Sequence, residues 1–417
     1  MTLAISTVGT ILYSIIVFLI IILLLVIVLL IAKDKLLPKG EVTLKINDRE
    51  LKVSPGSNLL FTLSGNDIYL PSACGGGGTC GMCKCQIIEG GGSILPTETG
   101  FFTRKEQLDH WRLSCQVKIR ESMIIRVPEA VLGIKKWECE VVSNRNVATF
   151  IKEFVVRLPD GEELDFEPGG YIQIDVPKYE TTFRDFPIEE EFRSDWDKYK
   201  MWDLKVKNSS ETFRAYSMAN YPAEKNLIKL NIRIATPPWN NNKNQFMKVP
   251  PGICSSYIFS RKPGDKVMIS GPYGEFHIKD TDNEMIYIGG GAGMAPLRSH
   301  IFHLFHTLKT NRKVSYWYGA RSLREVFYEN EFRAIEKKFP NFIFNLAMSE
   351  PFPEDNWKGY TGFIHQVLYD NYLGKHEEPE DVEYYFCGPP AMNEAVLKML
   401  YNLGIPEENI SFDDFGI

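Results

Sequence analysis

The pattern of hydrophobic and polar positions changes several times along the 417-residue chain. It begins with 25 uncharged residues from Val8 to Ala32 (VGTILYSIIVFLIIILLLVIVLLIA). At 1.5 Å rise per residue such a helix is about 37 Å long, enough to cross a hydrocarbon core of roughly 30 Å with some tilt. No basic residue precedes the run and no small-residue cleavage site follows it. The pattern therefore predicts a retained membrane anchor rather than a cleaved signal peptide.

Apolar and polar residues alternate after the anchor. Residues 41–47 (EVTLKIN) and 49–53 (RELKV) predict a β-hairpin, and a short helix is expected from Asn58. The segments KCQIIEG, RLSCQVKI and IIRVP are strand-like. Together they predict a small mixed α/β domain over residues 38–130, behind an anchor and linker at residues 1–37.

Two further sequence patterns follow along the chain, and each predicts a separate domain. Short strands separated by Gly and Pro predict an antiparallel β-barrel over residues 131–281. From Met285 onward, buried strands alternate with helices, which predicts a parallel, doubly wound α/β sheet over residues 282–417. The predicted fold class is therefore multidomain, with one transmembrane helix and three globular domains.

The charge distribution indicates which partners and which cellular compartment the chain has. The formal net charge is −6 and no basic stripe is present, which argues against nucleic-acid binding. Lys33, Lys35 and Lys39 follow the apolar run, so the positive-inside rule places the rest of the chain in the cytoplasm. Because that compartment is reducing, we expect the cysteines to be thiols or metal ligands.

Four cysteines and five glycines lie in CGGGGTCGMCKC, residues 74–85. The spacing C-x5-C-x2-C with a distant fourth cysteine is one residue longer than the plant-type [2Fe–2S] pattern. Glycine lets the backbone wrap bridging sulfides closely, whereas structural zinc prefers paired C-x2-C knuckles. The sequence favours a [2Fe–2S] cluster over zinc, with these ligands: Cys74, Cys80, Cys83 and Cys115.

Cys85 is the competing candidate for the fourth ligand. It begins a predicted strand whose alternation places residues 85 and 87 on one face. A small buried thiol is the favoured interpretation, because Cys115 is better placed as a ligand.

The segment RAYSMANYP (214–222) indicates a flavin site. Alternation points Arg214 and Tyr216 to one face, where a guanidinium can clamp a pyrophosphate and a phenol ring can pack on a planar cofactor. Ser217 is free to hydrogen-bond a ring nitrogen. The alternative is a tyrosine in an ordinary barrel wall.

A second segment, PPGICSSYIF (250–259), carries Gly252, Ser255 and Ser256 before a predicted short helix. Backbone N–H groups at a helix N-terminus bind anions, so these residues are candidates for the cofactor phosphates. The alternative is a serine-rich helix cap.

The predicted α/β domain opens on a glycine-rich turn, IGGGAGMAPLRS (288–299), and CGPPAMNEAV (387–396) stands at its last strand-to-helix junction. Such turns cradle phosphates at the carboxyl ends of parallel strands. The candidate nucleotide-binding residues are Gly289, Gly290, Gly291, Gly293, Pro296 and Gly388. Cys387 stands at a strand's carboxyl end, where an α/β fold binds its ligand, and the alternative is a small buried residue.

The order RxYS, GPYGEF (271–276), GGGAGMAP and CGPP resembles the ferredoxin–NADP reductase superfamily, and the cysteine loop resembles a plant-type, β-grasp ferredoxin fused in front. With the anchor, this order is similar to the F-subunit family of the Na+-translocating NADH:quinone reductases. The resemblance implies four cysteine ligands for the cluster and FAD contacts at Arg214, Tyr216 and Ser217. It also implies Cys387 beside the nicotinamide and Phe415 over the flavin ring, which makes these two and Ser217 the candidate catalytic residues.

The same resemblance implies the function and partners. Hydride would pass from NADH to FAD, and single electrons would pass to the [2Fe–2S] cluster, to other subunits of a sodium pump and to quinone. The chain would be a single-pass protein of the bacterial inner membrane. The family has an insertion before RxYS, here residues 177–213, which holds eight aromatic residues. They either pack over the chain's own barrel or dock to another subunit.

Three questions stay open at this point. A reductase component of a multicomponent oxygenase shares the ferredoxin–FAD–NAD order but is generally soluble. A zinc-bearing membrane adaptor would lack flavin and cluster absorbance. After VSYWYGA no acidic residue clearly marks a ribose partner, and Arg321 and Arg324 could accept a 2′-phosphate. Only the resemblance favours NADH over NADPH.

Overall fold

The computed structural model describes residues 2–36, 40–240 and 242–414. Its α-helices are α1 (Thr2–Leu36), α2 (Leu59–Ser64), α3 (Arg104–Leu108), α4 (Glu190–Lys198), α5 (Ile253–Phe259), α6 (Met294–Phe302), α7 (Glu329–Lys338), α8 (Ile364–Asn371) and α9 (Pro390–Asn402). Its strands are β1 (Val42–Ile46), β2 (Arg49–Val53), β3 (Lys84–Glu89), β4 (Trp111–Leu113), β5 (Met123–Arg126), β6 (Lys135–Ala148), β7 (Ile151–Arg157), β8 (Tyr171–Val176), β9 (Tyr179–Thr182), β10 (Lys205–Asn208), β11 (Thr212–Ser217), β12 (Leu227–Arg233), β13 (Trp239–Asn240), β14 (Gln245–Phe246), β15 (Lys266–Tyr273), β16 (Met285–Gly290), β17 (Val314–Ala320), β18 (Phe342–Met348), β19 (Tyr360–Thr361), β20 (Glu383–Cys387) and β21 (Ile410–Asp413). Two predicted residues, Lys39 and Phe415, lie outside the described ranges.

Contacts divide the chain into two compact units. The first contains Met1–Leu70 and Gly81–Leu132, and the second contains Pro71–Cys80 and Gly133–Ile417. The loop at residues 71–80 thus belongs with the second unit although its neighbours in sequence belong with the first. The domain boundaries at residues 37, 130 and 281 remain predictions.

The N-terminal apolar helix is confirmed as α1. Among the described residues, 9–32 form the one helical segment long and apolar enough to cross a membrane. Its large apolar side chains are exposed on all sides, from Ile11 to Ile31. A helix that is apolar all round needs a nonpolar surrounding, which a bilayer supplies.

The ferredoxin-like part of the first unit is a mixed sheet in the order β2-β1-β5-β3-β4. Strand β1 pairs antiparallel with β2 and parallel with β5, which confirms the predicted hairpin and the β-grasp fold. Helix α2 begins after Asn58, whose side chain accepts a hydrogen bond from the Phe61 N–H. The strand predicted over RLSCQVKI is shorter than expected. It ends at Leu113, and Cys115 lies in the following turn.

The predicted barrel is an antiparallel sheet in the order β11-β8-β15-β6-β7-β12. A bridge between Met218 and Leu230 joins the first and last strands and closes it. Four aromatic side chains of the 177–213 insertion are buried in the core of this barrel: Phe183, Phe186, Phe192 and Trp196. Their burial favours packing over the chain's own barrel as the reason for the aromatic content.

The C-terminal part has the predicted doubly wound architecture. Its sheet has the order β19-β18-β17-β16-β20-β21, and each neighbouring pair in it is parallel. Arg298 of α6 is buried and donates to the Ala219 carbonyl oxygen and to the Glu224 and Glu331 carboxylates. This arginine fastens the α/β layer to the loop that follows β11.

Candidate functional site

The structure brings the predicted cluster cysteines together as pairs. The Sγ atoms of Cys74 and Cys80 are 3.3 Å apart. Cys83 and Cys115 are both buried, and a hydrogen bond between their side chains raises the pKa of Cys83 far above its usual range. Across the described ranges no three His, Cys, Asp or Glu side chains converge as a metal site. Pairs suit a [2Fe–2S] cluster, because each of its two irons takes two protein ligands.

The loop that carries Cys74 and Cys80 has the backbone that its glycines predicted. Gly75, Gly76, Gly78 and Gly81 have φ between +63° and +88°, the left-handed region that side chains disfavour. A hydrogen bond from Cys80 lowers the pKa of Cys74 to about 3, against the opposing effect of burial. A thiol that ionises easily is suited to metal binding, because the thiolate is the ligand.

Cys85 lies in β3 and has no exposed surface. Burial, followed by the nearby Cys83, raises the pKa of its thiol, so Cys85 stays a neutral thiol at physiological pH. These observations support its assignment as a core residue, and exclusion of Cys85 from the cluster remains a prediction.

A buried ion pair between Glu98 and Arg112 supports the segment that carries Cys115. No local pattern in the sequence predicted this pair. Glu98 is fully buried and accepts hydrogen bonds from Arg112 Nε at 3.0 Å and Nη2 at 2.7 Å. It also accepts from the backbone N–H groups of Leu95 and Leu113. Leu113 stands two residues before Cys115, so the pair holds the chain that delivers this cysteine.

The proposed flavin residues lie on β11, which pairs with β8. Arg214 Nη1 donates to Thr212 Oγ1 at 3.2 Å and to the Phe213 carbonyl oxygen at 2.8 Å. Burial, followed by Cys254, raises the pKa of Tyr216, and the Arg214 guanidinium opposes that rise. Arg214, Tyr216 and Cys254 therefore share one environment, as a clamp and a ring-packing surface require.

Asp413 joins this strand and was missed by sequence reasoning. Ser217 Oγ donates to Asp413 Oδ2 at 2.7 Å, across 196 residues of sequence. Burial is the main cause that raises the pKa of Asp413, and the nearby Asp414 adds to the effect while the Ser217 hydrogen bond opposes it. The barrel strand that carries Ser217 and the last strand of the α/β sheet thus meet at one point.

The serines of PPGICSSYIF lie inside α5, so their predicted place before the helix was wrong. Gly252 is the N-cap and makes no side-chain capping bond. Ser255 Oγ accepts from the Ala235 N–H and donates to the Gly252 carbonyl oxygen. Ser256 Oγ is buried and has no hydrogen-bond partner within the part of the chain that the structure describes. A hydroxyl in this state fits a missing polar partner such as a cofactor oxygen.

The two turns of the predicted nucleotide site come together. Gly289 of β16 pairs with Cys387 of β20, and a Cβ on Gly293 would lie 2.0 Å from the Cys387 carbonyl oxygen. A Cβ on Gly388 would lie 2.4 Å from Met392 Cε and 3.3 Å from the Gly290 nitrogen. Gly290 ends its strand, and Pro296 is buried in the first turn of α6. Gly291, with φ of +56°, turns the chain from strand to helix, as a phosphate-binding turn requires.

Cys387 is fully buried at the end of β20. Burial is the first cause that raises the pKa of its thiol, with Asp413 and Asp414 next. The thiol is therefore neutral. Contact of Cys387 with a nicotinamide remains a prediction.

Arg321 and Arg324, the candidate partners of a 2′-phosphate, both have carboxylate partners. Arg321 pairs with Glu350 at 3.2 Å, and Arg324 pairs with Asp195 of α4 at 2.9 Å. Each guanidinium therefore has a negative partner. These partners reduce the electrostatic attraction of Arg321 and Arg324 for an additional phosphate.

Three family models match successive parts of the chain: the 2Fe-2S iron-sulfur cluster binding domain over residues 42–120, the oxidoreductase FAD-binding domain over 190–278 and the oxidoreductase NAD-binding domain over 287–398. The fold and the site thus define an iron–sulfur flavoprotein oxidoreductase with [2Fe–2S], FAD and NADH as its cofactors and substrate. The match to a [2Fe–2S] domain argues against the zinc adaptor.

Curated relatives identify the family. The chain is 56% identical over 387 residues to the F subunit of the Na(+)-translocating NADH-quinone reductase of Pseudomonas aeruginosa, covering 93% of this chain and 94% of that one. The corresponding F subunit of Methylococcus capsulatus is 57% identical over 386 residues, covering 92% and 94%. The chain belongs to the F-subunit family of the Na+-translocating NADH-quinone reductases.

Solved structures show the same fold. An Amycolatopsis cytochrome P450 reductase, GcoB, matches with a TM-score of 0.62 and 22% identity, covering 90% of this chain and 98% of that one. The ferredoxin reductase in carbazole 1,9a-dioxygenase matches with a TM-score of 0.57 and 24% identity, over the same shares. At these identities the two structures show the fold alone, and the 56–57% identity to the F subunits favours that function over the reductase component of an oxygenase.

Proposed function

We propose that the chain is the NADH-oxidising, electron-input subunit of a membrane Na+-translocating NADH:quinone oxidoreductase. One observation carries the proposal. The flavin strand, the two nucleotide turns and the loop bearing Cys74 and Cys80 belong to a single compact unit. Bound FAD supplies the chemistry that accepts a hydride and releases electrons singly, and the protein supplies binding and orientation.

The side chains have separate tasks in this proposal. Arg214 holds the FAD pyrophosphate, Tyr216 packs against the cofactor, and Ser217 orients the flavin ring. Gly252, Ser255 and Ser256 line the region of the phosphates, where the unpaired Ser256 hydroxyl is available as a donor. The nucleotide turn at residues 289–296 and Gly388 bind NADH, and Cys387 excludes water beside the nicotinamide. Phe415 is proposed as the cover of the flavin ring.

The four cysteines provide the route by which electrons leave the flavin. Cys74, Cys80, Cys83 and Cys115 would hold the [2Fe–2S] cluster, which would supply one-electron chemistry. Other subunits of the complex would then carry the electrons to quinone. The apolar segment of α1 has no charged residue, so this chain anchors the complex and does not itself form an ion pathway.

The membrane arrangement follows from sequence charge. Helix α1 crosses the bacterial inner membrane once, and the lysines after it place the globular domains in the cytoplasm. Cytoplasmic NADH then has direct access to the nucleotide turns. The counter-charges on Arg321 and Arg324 support NADH as the electron donor.

The test is an anaerobic titration of the full-length protein in detergent, followed by visible absorbance. NADH is expected to bleach flavin and cluster together, whereas NADPH should reduce the flavin at least about tenfold more slowly, because about 1.4 kcal/mol of discrimination gives that factor. A colourless protein, or a flavin that NADH cannot reduce, would refute the proposal.

Substitution of Ser217 by alanine tests the flavin-orienting role. Loss of one hydrogen bond, worth about 1 kcal/mol, is expected to slow flavin reduction by NADH roughly five- to tenfold, with FAD content unchanged. Stopped-flow absorbance measures the rate. Ser209, an exposed residue before β11, is the control, and Ser209→Ala should match the unaltered protein. Equal rates for both variants would exclude the role.

A further inference from the structure

The loop at residues 71–80 contacts the flavin strand. It lies within the stretch that matches the iron–sulfur domain, yet its contacts place it in the second unit with β11. At its centre Gly75 has φ of +63°. A Cβ there would lie 2.2 Å from Arg214 Nη1, 2.3 Å from the Phe213 carbonyl oxygen and 3.0 Å from Thr212 Oγ1. The loop backbone is thus directly against the strand.

The strand cannot easily yield at this contact. Phe213 and Arg214 pair with Asp175 and Ile174 of β8, so a shift of the Phe213 carbonyl would disturb the barrel sheet. Arg214 is also held, because Nη1 donates to Thr212 Oγ1 and to the Phe213 carbonyl oxygen. A side chain at position 75 would therefore displace the loop rather than the strand.

We propose that Gly75 is the docking point at which the cluster loop seats on the flavin strand, with Arg214 shared between the FAD pyrophosphate and the loop. Gly75 is a positioning residue, because it sets the distance over which electrons leave the flavin. With FAD and the cluster bound, each transfer would remove one electron from the reduced flavin and convert one ferric iron to ferrous, and the next subunit would take that electron before the second transfer. This inference rests on the proposed function.

The test compares Gly75→Ala with unaltered full-length protein in detergent, mixed anaerobically with NADH. Flavin reduction is expected at the normal rate, whereas cluster reduction should slow severalfold, because the rate of electron transfer falls steeply as the donor and the acceptor move apart. Backbone hydrogen exchange in residues 71–80 should rise. The dithionite-reduced cluster should keep its electron paramagnetic resonance signal, which shows that the cluster is present.

Gly100 provides the control, because it lies outside the cysteine loop. A Cβ on Gly100 would meet no atom within 4 Å, and its φ is outside the left-handed region. Gly100→Ala should therefore reduce its cluster at the normal rate. Gly75→Asn separates contact from backbone strain, since asparagine tolerates the left-handed conformation but carries the same Cβ. It should be as slow as Gly75→Ala, and a normal rate would overturn the docking role.

Thr212→Arg enlarges the strand side of the contact and leaves the cysteine loop unchanged, so it tests the contact even if Gly75→Ala loses its cluster. Because Thr212 Oγ1 also accepts a hydrogen bond from Arg214, FAD content is measured first; in flavin-loaded protein, cluster reduction should slow relative to flavin reduction. A normal rate in Thr212→Arg would overturn the inference. Failure of the proposed function is distinct, because then NADH would not reduce even the unaltered protein.

Discussion

Replacement of Cys115 by alanine is expected to abolish the [2Fe–2S] cluster and to leave FAD bound. Cys115 is paired with Cys83, so its loss leaves one iron with a single protein ligand. The proposed flavin residues belong to the other compact unit and keep their contacts. Iron and acid-labile sulfide per chain should fall to background, while flavin per chain is unchanged. NADH should still reduce the flavin.

Cys85 is the matched control, because it is a buried cysteine two residues from a proposed ligand. Cys85→Ala removes one buried sulfur atom from the core and is expected to cost about 1 kcal/mol of stability. Its iron, sulfide and cluster absorbance should equal those of the unaltered protein. A cluster that survives Cys115→Ala and disappears in Cys85→Ala would reverse the assignment of the fourth ligand.

Replacement of Arg112 by methionine is expected to destabilise the ferredoxin-like part by about 3 to 5 kcal/mol, because it leaves the Glu98 carboxylate buried without its counter-charge. Arg112 also donates to the Gly91 and Gly92 carbonyl oxygens, so further bonds are lost. Urea should release the cluster at a midpoint on the order of 2 M lower. Flavin release, which reports on the second unit, should not shift.

Two further variants test whether the loss comes from the unpaired buried charge. Lys84 pairs with Glu106 at 3.3 Å, and both side chains are about one-third exposed, so Lys84→Met should cost less than about 1 kcal/mol. Glu98→Gln combined with Arg112→Met removes the unpaired charge while keeping an acceptor for the Leu113 N–H. It should recover part of the loss. If Arg112→Met and Lys84→Met release the cluster at the same urea concentration, the buried pair does not support the site.

Local patterns explain which predictions held. Period-two alternation located β1, β2 and β11, and the change to alternating strands and helices located the doubly wound sheet. The glycines between Cys74 and Cys83 predicted a left-handed backbone, because only glycine adopts that conformation without cost. The predicted boundaries of strands and helices were less accurate. The strand leading to Cys115 ends early, and two serines lie inside α5 rather than before it.

The residues, taken in order along the chain, were enough to establish the succession of its parts: an apolar helix, a cysteine loop for a cluster, a flavin strand and two nucleotide turns. Each rests on neighbours in sequence, where periodicity, spacing and glycine conformation act directly. The folded chain was needed to show which distant groups meet: Glu98 with Arg112, Ser217 with Asp413, and Gly75 with Arg214. These contacts depend on how strands from separate segments pair, and sequence periodicity carries no information about that pairing.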